Sequence, residues 1–300
     1  MRAATHGDAG VETGRVELEY ETFGNEGDPA VLLVMGFSQQ LTAWDVGFCT
    51  HLAGRGFRVI RFDNRDVGLS TKIEKAPRPN IPAIFGGDRS TVAYGIPDMA
   101  DDAAGLLDAL GIEAAHVVGV SMGGMISQTL AIRHPARVKS LVSIMSTTGD
   151  PRVGHATPAA LQVLMTRPPS KRAEYIENGV AVWHILRSPG FAYDEARGRE
   201  RIALAYDRCF YPEGPARQLA AILSQPDRTE ALGKVKVPTT VIHGAEDPLV
   251  NRSGGEATAR AIPGARLLIV PGMGHDLPEG VWTTVIDAIV ETAKRASGAT

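Results

Sequence analysis

A chain of 300 residues, 44% hydrophobic and 22% charged, can bury a sizeable core, and this excludes an intrinsically disordered protein. Its formal net charge of -3 comes from 31 basic and 34 acidic residues with no Lys or Arg run, which argues against a nucleic-acid surface and for small neutral or weakly charged partners. Two distant cysteines, Cys49 and Cys209, fit neither a disulfide framework nor zinc-ligand spacing and read as free thiols.

Met1 to Gly14 lacks the apolar core of a signal peptide, and no later segment has the length and apolarity of a membrane span. A cytoplasmic protein without membrane insertion is expected, a monomer or homodimer, with residues before about Val16 loosely ordered. Val16 to Phe23 alternates like a half-buried strand, whereas Ala30 to Met35 (AVLLVM) is a continuous apolar run suited to a strand covered on both faces. Phe57 to Phe62 (FRVIRF) is the next strand. Ser70 to Gly95 is rich in Pro and Gly, too long for a simple connector, and reads as an excursion beside a binding site. Pro97 to Leu110 has acidic residues in its first turn and Leu106, Leu107 and Leu110 on one face, as a crossover helix requires.

His116 to Val120 and Val138 to Met145 continue the strands, and Thr239 to His243 and Ala265 to Val270 complete them. Between them, from about Asp150 to Leu232, the pattern turns helical, with candidates at Ala159 to Met165, Lys171 to Leu186, Tyr193 to Cys209 and Ala216 to Leu223. The βαβα order predicts an α/β protein with a mostly parallel sheet. Residues 1–149 and 233–300 would form its core, and 150–232 a helical insertion.

The chemistry centres on Gly119-Val120-Ser121-Met122-Gly123-Gly124, which leaves a buried strand and opens a helix. Such a turn is so tight that only small residues fit beside the serine, and its strained backbone lifts the hydroxyl clear of the sheet. A serine hydroxyl is a weak nucleophile near neutral pH and needs a base, itself held in one tautomer by a third group. Of eight histidines, His275 follows the last strand in the glycine-rich Pro-Gly-Met-Gly-His loop, at the sheet edge where α/β sites gather. His243 lies inside an apolar strand and reads as a hydrogen-bonded core residue.

Gly244-Ala245-Glu246-Asp247-Pro248 follows the preceding strand and offers two adjacent acids, whose side chains diverge. Asp247, fixed before a proline, is the expected partner of His275, with Glu246 left to backbone groups or solvent. Asp150 is a third candidate, better suited to a turn. For an oxyanion, the backbone amide of Met122 supplies one donor and that of Phe37, in the loop after AVLLVM, the second. Ser38, Gln39 and Gln40 in the same loop are available to hydrogen-bond a substrate.

With these marks located, the chain from Val16 to Thr292 resembles the α/β-hydrolase superfamily. Asp63-Asn64-Arg65-Asp66-Val67-Gly68-Leu69-Ser70 is similar to its D-x-R-G-x-G-x-S loop, with Asp66 where glycine is usual, and Met35-Gly36 stands in place of the common His-Gly. Both departures are similar to the aclacinomycin methylesterase-like branch, which hydrolyses methyl esters of polyketide-type acids. The SMGGM run is also similar to enol-lactone hydrolases and carbon-carbon bond hydrolases. The resemblance implies a cap made by the helical insertion, carrying Trp183, Phe191, Tyr193, Tyr206, Phe210 and Tyr211, some of them facing the substrate.

The resulting expectation is a serine carboxylic ester hydrolase working through an acyl-enzyme, with Ser121, Asp247 and His275 catalytic, no metal or organic cofactor implied, and a small-molecule ester as substrate. Gly36, Ser38, Trp183, Tyr206 and Phe210 are the candidate pocket residues. Lactone or carbon-carbon hydrolysis would use the same three groups, and a receptor on this scaffold would label with a fluorophosphonate but not turn over.

Overall fold

A computed structural model of the chain describes residues 2–5 and 16–298. Among these, eight strands form one sheet: β1 (Arg2–Thr5), β2 (Val16–Phe23), β3 (Ala30–Val34), β4 (Arg58–Phe62), β5 (Ala115–Val120), β6 (Val138–Ile144), β7 (Thr239–Gly244) and β8 (Arg266–Val270). Their order is β1-β2-β4-β3-β5-β6-β7-β8. The pairs β1 with β2 and β2 with β4 are antiparallel, and every pair from β4 to β8 is parallel. Because β4 and β5 lie on opposite sides of β3, the strand order reverses there. The loops after β3 and β5 therefore diverge and leave a crevice at their carboxyl ends, the usual place for a ligand in an open α/β sheet.

Burial follows the apolar runs. Every residue of β3 and β5 is buried, as a central parallel strand covered on both faces requires. Within β3 the pleat sends Leu32 and Val34 to one side and Val31 and Leu33 to the other. Helices α3 (Ile96–Ala109) and α4 (Met122–Arg133) cover the first side through Leu106, Leu107, Ile126 and Leu130. Helices α1 (Val46–Ala53) and α11 (Trp282–Ala296) cover the second through Phe48, Leu52, Val285 and Ile289.

Between α1 and α3 the Pro-rich stretch contains one short helix, α2 (Ile81–Phe85), started by the Asn80 side chain accepting from Ala83 N–H. Between β6 and β7 the chain is helical: α5 (Pro158–Met165), α6 (Arg172–Leu186), α7 (Glu195–Arg208), α8 (Glu213–Ser224) and α9 (Thr229–Leu232). Helix α10 (Ser253–Ala261) joins β7 to β8. No helix among the described residues is long and apolar enough to cross a membrane.

The expected loose order before Val16 is corrected at Arg2–Thr5, which forms β1 and pairs with β2 from Arg2 opposite Glu19 to Thr5 opposite Val16. A four-residue strand pairs through its backbone and leaves little side-chain pattern to read. Residues 6–15, in the same expectation, lie outside those described.

Candidate active site

The turn from β5 into α4 holds Ser121 at φ 56° and ψ -120°, a conformation that costs a non-glycine residue of order 1–3 kcal/mol. Its N–H donates to the Ile144 carbonyl at 2.9 Å, so the sheet ladder runs up to the strained residue and holds it. The glycines around it answer to contacts. A methyl group on Gly119 would overlap Gly123 O and Ser127 Oγ, and one on Gly123 would overlap the Val34 carbonyl. Any side chain at either position would push α4 off the sheet.

Three side chains from three loops converge here. His275 Nε2 lies 3.0 Å from Ser121 Oγ, and His275 Nδ1 lies 2.7 Å from Asp247 Oδ2. The other carboxylate oxygen, Asp247 Oδ1, accepts from the Leu249 and Val250 amides, each at 2.9 Å. Both Asp247 and His275 are buried, and Ser121 is half-buried. A carboxylate accepts only, so the proton shared with Asp247 belongs to Nδ1, and the Nε2 lone pair faces the serine hydroxyl. Of the rival acids, Glu246 accepts from Gly272 N–H at 2.6 Å, and Asp150 closes a turn by accepting from the Arg152 amide and guanidinium.

A model of the family described as alpha/beta hydrolase fold matches residues 29–279. The chain belongs to this family. The hydrolase is 30% identical to the rhodomycin D methylesterase DauP of Streptomyces sp. strain C5, over 94% of this chain and 96% of that protein. It is similar to the solved structure of a thermophilic esterase from Thermogutta terrifontis, with TM-score 0.74 and 24% identity over 98% of this chain and 99% of that one. The enol-lactonase from Burkholderia xenovorans LB400 superimposes with TM-score 0.70 and 25% identity, over 92% of this chain and 96% of that one.

In the hydrolase the loop after β3 runs directly past the serine: a methyl group on Gly36 would stand 3.2 Å from Ser121 Cβ and 3.1 Å from the Val120 carbonyl. Ser38, at φ 60°, donates its N–H to Gln218 Oε1 at 3.0 Å, and Asn64 Nδ2 donates to the Met35 carbonyl at 2.9 Å. Gln40 is buried and engaged, donating to the Ala205 and Cys209 carbonyls and accepting from Arg208. It has little left to offer a substrate.

The D-N-R-D loop supports this arrangement from below. Asp63, fully buried, accepts from the Leu41 and Leu69 amides at 2.6 and 2.8 Å and pairs with Arg208 at 2.7 Å. Burial lifts its carboxyl above the ordinary range, against the pull of Arg208. Asp66 pairs with Arg217 and also accepts from Ile73 N–H at 2.8 Å.

The helical segment grips the histidine loop as well. His275 N–H donates to the Leu186 carbonyl at 2.8 Å, Gly274 N–H to Ser188 Oγ at 2.8 Å, and Gly190 N–H to the Gly272 carbonyl at 2.9 Å. Ser188 also binds Asp276 through its N–H and hydroxyl, and burial raises the Asp276 carboxyl above its ordinary range. Behind the acid, His243 donates from Nε2 to the Val250 carbonyl at 2.7 Å, and burial lowers its pKa, which keeps it neutral.

Of the aromatics expected in the helical segment, Tyr206 and Phe210 stack with Tyr175, at centroid distances of 5.2 Å (Tyr175 to Tyr206), 5.7 Å (Tyr175 to Phe210) and 4.9 Å (Tyr206 to Phe210). Tyr206 OH donates to the Ser170 carbonyl. Phe191 packs on Gly280, and Tyr211 binds Arg217. Trp183 is half-buried on α6. Gln218, Ser188, Asp276, Arg208 and Arg217 were not among the expected site residues. Among the described residues no group of three or more His, Cys, Asp or Glu is arranged to hold a metal ion.

Proposed function

We propose that this hydrolase cleaves carboxylic esters of small to medium size, with an apolar or aromatic acyl part, through an acyl-enzyme on Ser121. The observation that carries the proposal is the unbroken chain from Ser121 Oγ through His275 to Asp247, at 3.0 and 2.7 Å. In this reading Ser121 Oγ attacks the ester carbonyl carbon while its proton passes to His275 Nε2. The oxyanion is received by the Phe37 and Met122 amides, with the positive end of α4 behind it. Collapse breaks the bond to the alcohol oxygen, which leaves with the proton from Nε2. Water then attacks the acyl carbon, gives one proton to Nε2, and the returning proton restores the serine as the carboxylic acid departs. Asp247 stays ionised throughout and stabilises the imidazolium.

The methylesterase relative supports a methyl ester as the substrate form. In the same proposal the helical segment 150–232 is a cap over the site, and Gly36, Ser38, Trp183, Tyr206 and Phe210 bound the acyl pocket. A lactone is the second reading, favoured by the likeness to the enol-lactonase. It would pass through the same intermediate, with the alcohol still tethered to the acyl group.

Fluorophosphonate labelling and turnover of p-nitrophenyl butyrate, in wild type and Ser121→Ala, test the proposal. Wild type should label and turn over, and the variant should do neither while melting cooperatively. Labelling without turnover of any ester or lactone would favour a receptor, and full activity in Ser121→Ala would exclude the serine.

A further inference from the structure

We infer that Gln218, on helix α8 of the helical segment, is a positioning residue for the oxyanion loop; the inference rests on the ester-hydrolase reading above. Gln218 has no solvent exposure, yet it spends its amide on two backbone groups of different loops. Its Oε1 accepts from Ser38 N–H at 3.0 Å and its Nε2 donates to the Arg65 carbonyl at 2.9 Å. The Ser38 amide immediately follows that of Phe37, the proposed oxyanion donor, and Ser38 sits at φ 60°, where a residue with a side chain stays only if its surroundings hold it. The Ser38 to Gln218 bond supplies part of that hold, and Asn64 Nδ2 on the Met35 carbonyl supplies the other end.

The loop has almost no freedom toward the serine, since a methyl on Gly36 would already press on Ser121 Cβ at 3.2 Å. Its freedom is away from the serine, and Gln218 closes that direction. A donor aimed at a developing charge contributes to the rate only while it is held in place before the charge forms, so a loosened Ser38 would slow the chemical step and leave ground-state binding intact. Gln218 is itself fixed by its neighbour, because Arg217 is locked to Asp66 by two hydrogen bonds of 2.8 Å. The oxyanion loop is thus set from helix α8, 180 residues away in sequence.

Two variants and two readouts test this. Gln218→Met removes both bonds, and kcat on p-nitrophenyl acetate should fall about tenfold or more with KM within roughly twofold of wild type. Amide hydrogen exchange in residues 36–39 should quicken, while the loops around His275 keep their protection. Gln218→Asn keeps an amide but is one methylene too short to reach Ser38 N–H from the same backbone, so it should show the same fall in kcat and the same local quickening of exchange.

Unchanged kcat and unchanged exchange in Gln218→Met would overturn the inference, and so would equal losses in both loops. If Gln218→Met does not fold, Gln218→Asn decides by the same two readouts, and unchanged kcat with unchanged exchange rejects the inference. A wild type that hydrolyses no ester, but whose 36–39 exchange quickens in Gln218→Met, would sink the ester-hydrolase reading and leave the bracing role standing.

Discussion

Asp66 and Arg217 form a two-point ion pair, 2.8 Å at each contact, buried where the D-N-R-D loop meets helix α8. Asp66 stands where glycine is usual in this loop, and its φ of 70° is one that glycine adopts without strain. The carboxylate is therefore kept at a backbone cost, and it neutralises the guanidinium of Arg217, a residue that is 4% exposed. Gly214, one turn before Arg217, lets the two elements close, since a methyl group there would overlap the Asp66 carbonyl. Restoring the common residue with Asp66→Gly should relieve strain but leave Arg217 uncompensated, lowering stability by about 3–5 kcal/mol. Adding Arg217→Met should recover most of that loss, because a buried pair exchanged for apolar volume is often neutral. Urea denaturation of the two variants checks this; a single variant as stable as wild type would show that the pair contributes nothing.

The elbow glycines give a steric prediction. Gly123→Ala puts a methyl into the Val34 carbonyl, at the point where α4 crosses β3, so it should destabilise by several kcal/mol and displace the serine. Gly27→Ala meets nothing within 4 Å and should melt within about 0.5 kcal/mol of wild type. Comparing melting curves of the two separates a local contact from a general dislike of alanine.

These contacts explain what was legible in the sequence. Steric demand writes glycine at 119 and 123, and two-sided burial writes AVLLV and AHVVGV, so the central strands and the elbow were readable from residue type and order alone. The loops bearing Asp247 and His275 were readable because each follows an apolar run, β7 buried throughout and β8 at the edge of the sheet. Strand β1 was not, since backbone pairing makes few demands on side chains. Gln218 and Arg217 were not read either, because polar residues on a helix ordinarily face water. Their signal was weak but present: Gly214, Arg217, Gln218 and Ala221 fall at the spacing of a single helix stripe, and all four are buried. Two polar residues in a core-facing stripe point to partners that lie far away in sequence, which no local pattern can name.

The adjacent acids predict opposite outcomes. Asp247→Asn keeps an oxygen for the Leu249 and Val250 amides but turns an N–H toward His275, favouring the wrong tautomer, and should lower kcat by roughly 10³- to 10⁴-fold with little change in KM. Glu246→Gln keeps an acceptor for Gly272 N–H and should stay within about threefold of wild type. Steady-state kinetics on p-nitrophenyl butyrate distinguish the two, and a reversed order would move the acid to Glu246.

His116 makes stability depend on pH. It is buried on β5 with Nδ1 2.8 Å from Ser140 Oγ and its ring edge-on to Phe57. Burial, aided by the nearby Lys139 charge, lowers its pKa from the ordinary 6.5 to about 4. Between those values the unfolded chain takes up a proton that the folded protein refuses. The contribution is thus fully present above pH 6.5 and drains away as pH falls toward about 4, by at most about 3 kcal/mol. His243, also lowered by burial, acts in the same direction, so replacing one histidine should flatten the profile without abolishing it. Urea midpoints measured between about pH 7.5 and pH 4.5 should therefore fall less steeply in His116→Asn than in wild type. Parallel slopes would mean that protonation of His116 is not what acid acts on.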